Sequence, residues 1–149
     1  MQPRRVSQAP WENRFAKPLG ESLLNSIPAT RRGPVKHARH LLLGLGGFEE
    51  SVAWQGVLKW TFVYRAPGSS SPVAYVVPEP AKPRACVPVP ESALPALAKT
   101  RFGRQCRERL AHAPAVDGVR WVTLDLTSRD AAGTVAALVE RAASAHSDA

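Results

Sequence analysis

The sequence predicts an α+β fold in which a mainly antiparallel sheet of about five strands packs against helices in two layers. The clearest observation lies between Val119 and Ala143, where an alternating strand is followed by a capping residue and an amphipathic helix. A second observation is the order of the other elements, because four short strands follow one another and helices stand before and after them. The length of 149 residues corresponds to about one domain.

The first long helix is predicted to begin at Gly33-Pro34, because proline at the first helical position loses no hydrogen bond. Apolar residues recur after it at spacings of three and four, which is typical of a helix with one buried stripe. These residues are Val35, Ala38, Leu41, Leu42 and Leu45. The basic residues Lys36, Arg39 and His40 lie on the opposite side. Gly46-Gly47 ends the helix, because glycine accepts the left-handed cap conformation.

Five strands are predicted from apolar residues bounded by turn signals. They are Glu49–Trp54, Leu58–Arg65, Val73–Val77, Arg84–Val89 and a closing strand from Val119 to Leu124. The third is almost entirely apolar, which predicts a central position, whereas Pro88 predicts an edge position for the fourth. Two helices, Glu91–Ala98 and Arg101–Ala113, precede the closing strand, and Thr127 or Ser128 caps the last helix.

The chain is predicted to consist of a basic, proline-containing arm over residues 1–32 and a single α+β domain over residues 33–149. The arm has four prolines and little periodicity, so we expect it to be extended or partly disordered. Within it, the SLLNSI segment is expected to form one helical turn, and Trp11 and Phe15 are expected to anchor it to the body. Residues 1–40 carry +6 of the formal net charge of +8, which permits an anionic partner.

Three segments carry a likeness to a known family. They are GLGGFEESVAWQG at Gly44–Gly56, the strand and short helix at Arg84–Leu97, and the closing strand and helix at Gly118–Ala145. Together they resemble the MmcQ/YjbR family and its YdhG-like relatives, over residues 35–145. The resemblance implies a CyaY/YjbR-like fold, similar to that of frataxin and to double-wing DNA-binding folds, in a small cytoplasmic bacterial protein. It implies no functional residue, because the shared positions look structural.

A basic cluster around the start of the first long helix is the candidate site for nucleic acid or another anionic partner, such as an acidic protein. It comprises Arg31, Arg32, Lys36, Arg39 and His40. Flexible cationic side chains at backbone spacing neutralise phosphates and release counterions. The competing interpretation is a solvated helix face. On this basis we expect a binding protein without catalysis.

The alternative is a small-molecule-binding domain or an enzyme that uses an aromatic sheet face. Trp54, Trp60 and Tyr64 would line its ligand pocket, and Lys59 or Arg65 would orient a flat or apolar ligand. Core packing of the same aromatic residues is the competing interpretation. A structure with the tryptophans packed under helices would remove the support for such a pocket.

The remaining charged residues are assigned structural roles. The arginines of the segment Arg101–Arg109 form a second basic cluster, in which Arg104 and Glu108 have the spacing of a helical salt bridge. Glu49 and Glu50 are adjacent on a strand and point to opposite faces, so they are interpreted as a solvated strand start and not as a catalytic pair.

No cofactor or metal centre is predicted. His37 and His40 are three residues apart on a helix, but two imidazoles without a third ligand make a poor metal site. Cys86 and Cys106 are expected to be buried small hydrophobes in a reducing cytoplasm. No apolar run is long enough to span a bilayer, so no membrane partner is expected.

Overall fold

The structure, a computed structural model, describes residues 10–101, 104 and 106–147, and for residues 144–147 the backbone alone. The strands of these residues are β1 Glu49–Trp54, β2 Trp60–Arg65, β3 Pro72–Val77, β4 Arg84–Pro90, β5 Ala115–Val116 and β6 Val119–Asp125. The helices are α1 Gly20–Asn25, α2 Ala29–Gly44, α3 Leu94–Ala98, α4 Arg107–His112 and α5 Arg129–Ser147. The strands form one antiparallel sheet in the order β1-β2-β3-β4-β6-β5. The predicted α+β fold is thereby confirmed, with one strand more than expected, the two-residue β5.

The hairpin of β1 and β2 fixes which side chains share a face of the sheet. Glu50 lies opposite Tyr64, and Trp54 lies opposite Trp60, so these four side chains project from the same face. β2 begins at Trp60, two residues later than predicted, because a 3-10 turn at Gly56–Leu58 precedes it. All the side chains of β2 except that of Arg65 are buried.

The position of β4 differs from its prediction, whereas β3 is central as expected. β4 lies between β3 and β6, so the edge position predicted from Pro88 is wrong for the strand. Pro88 is tolerated there because, as at an edge, only one side of the residue is paired with a neighbouring strand. The ladder with β3 stops at Cys86, so Pro88 is paired with Trp121 of β6 alone.

The first long helix starts earlier than predicted. α2 begins at Ala29 and contains Pro34, whereas the sequence predicted a start at Gly33-Pro34. Arg32 stabilises this early turn, because its guanidinium donates hydrogen bonds to carbonyls at the end of α1 and in the connection to α2. Burial of Ile27 and Val35 on either side compensates for the backbone hydrogen bond that a proline cannot donate.

The described part of the segment before α2 packs on the body, and α1 forms the short helix expected of the SLLNSI segment. Trp11, Leu23, Leu24 and Ile27 are buried members of the main hydrophobic core. The indole of Trp11 donates to the carbonyl of Leu58 at 3.0 Å, which confirms it as an anchor. Phe15 is 95% exposed, so its predicted anchoring role is wrong. The part of the predicted arm in residues 1–9 lies outside the described residues.

The helix layer is built mainly from α2 and α5, which pack against each other and against the sheet. The amphipathic helix predicted after the closing strand is α5, which buries Ala132, Val135, Val139 and Ala142. The hydroxyl of Ser128 caps it by accepting from the N–H of Ala131. α4 lies within the predicted helix Arg101–Ala113 and buries Leu110. Residues 102, 103 and 105 of that prediction lie outside the described residues. None of the described helices combines the length and apolar character of a membrane span.

Candidate functional site

α2 carries more basic residues than any other of the described helices. Between its ends it carries six basic residues and no carboxylate. They are Arg31, Arg32, Lys36, His37, Arg39 and His40. Their exposure and contacts divide them into two sets. One set makes contacts inside the protein, and the other faces solvent.

Arg32 and Arg39 belong to the inward set. Arg32 donates to the carbonyl oxygens of Leu24 at 3.0 Å and of Ile27 at 2.9 Å. Carbonyl oxygens at the end of a short helix lack intrahelical donors, so Arg32 satisfies them. Arg39 pairs with Glu50 across the boundary between α2 and β1. Two of the five residues of the predicted nucleic-acid site therefore have structural partners.

Arg39 is the centre of a half-buried polar cluster that the sequence did not reveal. Its Nε and one Nη atom donate to the two carboxylate oxygens of Glu50 at 2.9 and 2.6 Å. The phenol of Tyr64 donates to the same carboxylate. The Arg39 guanidinium also lies 4.2 Å above the centroid of the Phe62 ring, which is a cation–π arrangement. Glu50 is therefore not the solvated strand start that was expected, although Glu49 is exposed.

The protonation states within this cluster follow from burial and pairing. The hydrogen bond to Glu50 raises the pKa of Arg39. Burial alone would raise the pKa of Glu50, but the hydrogen bonds from Arg39 and Tyr64 outweigh it, and the net pKa is lowered. Burial, followed by the hydrogen bond to Glu50, raises the pKa of Tyr64. At neutral pH the carboxylate is thus ionised and the phenol neutral, so neither is suited to proton transfer.

The cluster borders a cleft of about 520 Å³ between the segment 17–21 and strand β1. Arg39, Glu50 and Phe62 form part of its wall. Gly20 permits the close approach of α1, because a Cβ atom there would lie 3.2 Å from the Phe62 ring. The charged residues of the cleft balance, since Lys17 and Arg39 face Glu21 and Glu50.

The outward set of α2 faces solvent. Arg31, Lys36 and His40 are exposed, and His37 is half-buried. None of these four forms an ion pair with a carboxylate of the described residues. The structure thus leaves Arg31, Lys36 and His40 of the predicted site exposed, and we call these three residues together the outer face of α2. Lys36 and His40, four positions apart, share one side of the helix, whereas Arg31 lies in the first turn and on a different side.

The residues of the alternative aromatic pocket fill the interior or are already engaged. Trp54 and Trp60 meet edge to face at 5.6 Å, and the buried Trp60 indole donates to the carbonyl of Asn13 at 2.7 Å. Lys59 lies over the Trp11 ring, 4.7 Å from its centroid. Their side chains project toward the face that the helices and the segment before α2 cover. Tyr64 is fully buried, so the aromatic residues here stabilise the core.

Arg65, the fifth residue of that alternative, lies apart from these aromatics. It projects from the opposite face of the sheet, where it donates to the carbonyl of Ser70 at 3.2 Å and to the hydroxyl of Ser51 at 3.4 Å. Because successive strand residues alternate between faces, Arg65 and Tyr64 cannot orient one ligand together. The structure does not bring the five residues together around one cavity.

The described residues offer neither a reactive thiol nor a metal-binding cluster. Cys86 and Cys106 are buried, as predicted, and burial raises the pKa of both thiols. A raised pKa disfavours the reactive thiolate. The described part of the chain contains no cluster of three metal-ligating side chains. Arg104, expected to pair with Glu108, donates to the carbonyl of Lys99 at 3.2 Å.

Comparison of the chain with models of protein families, with curated proteins and with solved structures found no match.

Proposed function

We propose that this is a non-catalytic, cytoplasmic binding protein of MmcQ/YjbR-like type that binds nucleic acid through the outer face of α2. The observation that carries the proposal is the composition of this helix, which has six basic residues and no carboxylate. Arg32 and Arg39 are engaged by partners inside the protein, whereas Arg31, Lys36 and His40 remain exposed.

The physics of phosphate binding suits this surface. Exposed Lys and Arg side chains neutralise backbone phosphates and release condensed counterions, which makes the affinity strongly dependent on salt. Such contacts position a protein on nucleic acid without reading its sequence. The formal net charge of +8 adds a long-range attraction to the polyanion. We therefore expect binding with little sequence preference.

The test is a fluorescence anisotropy titration of labelled duplex DNA, and of one of its strands alone, at about 50 and 200 mM salt. We expect affinity at the lower concentration that falls steeply at the higher one. The double variant Arg31→Ala with Lys36→Ala should bind more weakly than the wild type by about tenfold or more.

The matched control is the double variant Arg14→Ala with Lys82→Ala. It removes the same charge from exposed positions outside α2, and it should retain most of the affinity. Equal losses in the two double variants would mean that net charge, and not the outer face of α2, causes binding. Absence of binding, or affinity that does not change with salt, would refute the proposal, as would binding of an acidic protein alone.

A further inference from the structure

A groove of about 750 Å³ runs between α2 and α5. Its lining residues come from α2, from α5 and from the segment that follows α3. They are His37, Leu41, Arg101, Arg129, Asp130, Gly133, Thr134 and Ala137. The groove thus places α2, the helix that carries most of the first basic cluster, next to Arg101 of the second. His37 and Arg101 are separated by 64 positions along the chain but line one cavity.

The charge of this groove is predominantly basic. Two guanidinium groups and one imidazole line it, against the single carboxylate of Asp130. Arg101 and Arg129 are exposed, and neither forms an ion pair with a carboxylate of the described residues. Guanidinium groups without a partner are well suited to phosphate, because their planar N–H groups bind two phosphate oxygens at once.

The shape of the groove leaves room for a ligand. Gly133 and Ala137 have the smallest side chains and lie one turn apart on α5, so its wall stays open opposite Leu41 of α2. Gly133 would have no atom within 4 Å of an added Cβ, so the space above it is unfilled. The groove, with a volume of about 750 Å³, therefore has room for a phosphate group.

The groove lies close to Lys36 and His40 of the outer face along α2. His37 directly follows Lys36 and lies three residues before His40, so the same turns of the helix contribute to both surfaces. A phosphate chain that follows the outer face would reach the groove within one helical turn.

We propose that this groove binds a backbone phosphate of the nucleic acid, held by Arg101 and Arg129 with His37 as a further hydrogen-bond donor. This inference rests on the proposed function, since it names where the polyanion continues beyond α2. It assigns to Arg101 and Arg129 a role that neither the fold nor the core requires, because both side chains are exposed.

The experiment compares the wild type with the double variant Arg101→Gln and Arg129→Gln in DNA titrations over a series of salt concentrations. Each lost phosphate contact reduces the magnitude of the negative slope of log K against log salt by about 0.9, so loss of the one phosphate held in the groove should reduce that magnitude by about 0.9. The control, Arg14→Gln with Lys17→Gln, removes the same charge from the segment before α1 and should keep the wild-type slope. Thermal unfolding of the variants verifies that all of them fold.

A second readout uses the groove itself. In amide NMR spectra, duplex DNA should shift the signals of Gly133 and Ala137 in the wild type but not in the Arg101→Gln, Arg129→Gln variant. Inorganic tripolyphosphate serves as the competing ligand. If it shifts these signals while DNA does not, the groove binds free phosphates and the backbone assignment is wrong.

The outcomes separate the two proposals. DNA binding with an unchanged slope in the groove variant overturns the inference about the groove and leaves the outer face of α2 as the binding surface. A shallower slope of log K against log salt in the groove variant, together with the wild-type slope in the control, supports the inference. Absence of DNA binding by the wild type overturns both proposals.

Discussion

Arg39 of α2 and Glu50 of β1 form an ion pair with two hydrogen bonds, of 2.9 and 2.6 Å, that ties the helix layer to an edge strand of the sheet. The side chains retain only 21% and 18% of their exposure, so solvent screens the pair incompletely. Tyr64 adds a third hydrogen bond to the carboxylate, and Phe62 supports the guanidinium from below. The pair therefore helps to fix the position of α2, the helix to which we assign binding.

Replacement of Glu50 should destabilise the protein far more than replacement of its neighbour. Glu50→Ala leaves the Arg39 guanidinium and the Tyr64 hydroxyl without their acceptor, at a cost of about 1–3 kcal/mol. Glu49 is exposed, so Glu49→Ala should change the free energy of unfolding by no more than about 0.5 kcal/mol. Urea unfolding of both variants measures the difference. Equal effects would show that the cluster contributes nothing specific.

The same carboxylate should make stability depend on pH in acid. The pKa of Glu50 in the folded protein lies below its ordinary value of 4.5, so the unfolded chain binds a proton more readily. The stabilisation is thus complete above about pH 4.5 and is lost as the pH falls through the lowered pKa. Urea unfolding between about pH 7 and pH 3 should show a smaller acid loss for Glu50→Gln than for the wild type. Parallel curves for the two proteins would contradict this assignment.

Much of the fold was predictable because the determining signals are local. The alternation within β2 and β6, the glycines after α2 and the Ser128 cap each act within a few residues, and each predicted its element. Pro88 was misleading for a physical reason. A proline has no N–H to donate, so it needs one side without a paired strand. Even a central strand has such a side where the ladder to one neighbour ends, as the β3–β4 ladder does at Cys86.

The candidate sites were less predictable because they depend on tertiary placement. Arg39 seemed equivalent to Lys36 on the helix, but it lies next to the buried Ala38, close enough to the sheet to reach Glu50. The pairing of Glu50 with Tyr64 in β2 was the one available signal, since a hairpin places both on one face. No local pattern indicated that Arg101 and His37 would line one groove.

The segment before α2 provides a last test, because it contains one fully buried and one exposed leucine, whose replacement should affect stability very differently. Leu23 has no exposed surface and belongs to the core, whereas Leu19 is 74% exposed. Leu23→Ala should therefore cost about 2–5 kcal/mol through lost burial and the cavity that remains. Leu19→Ala deletes the same side-chain atoms at a solvent-exposed position and should cost about 0.5 kcal/mol or less.

Chemical denaturation of the two leucine variants measures this contrast directly, and the wild type provides the reference midpoint. A large loss in Leu23→Ala alone means that the segment is part of the cooperative unit that positions α2. A small loss in both variants would mean that this segment detaches without disturbing the fold. In that case the hydrogen bonds of Arg32 to the end of α1 could not hold the start of α2 in place.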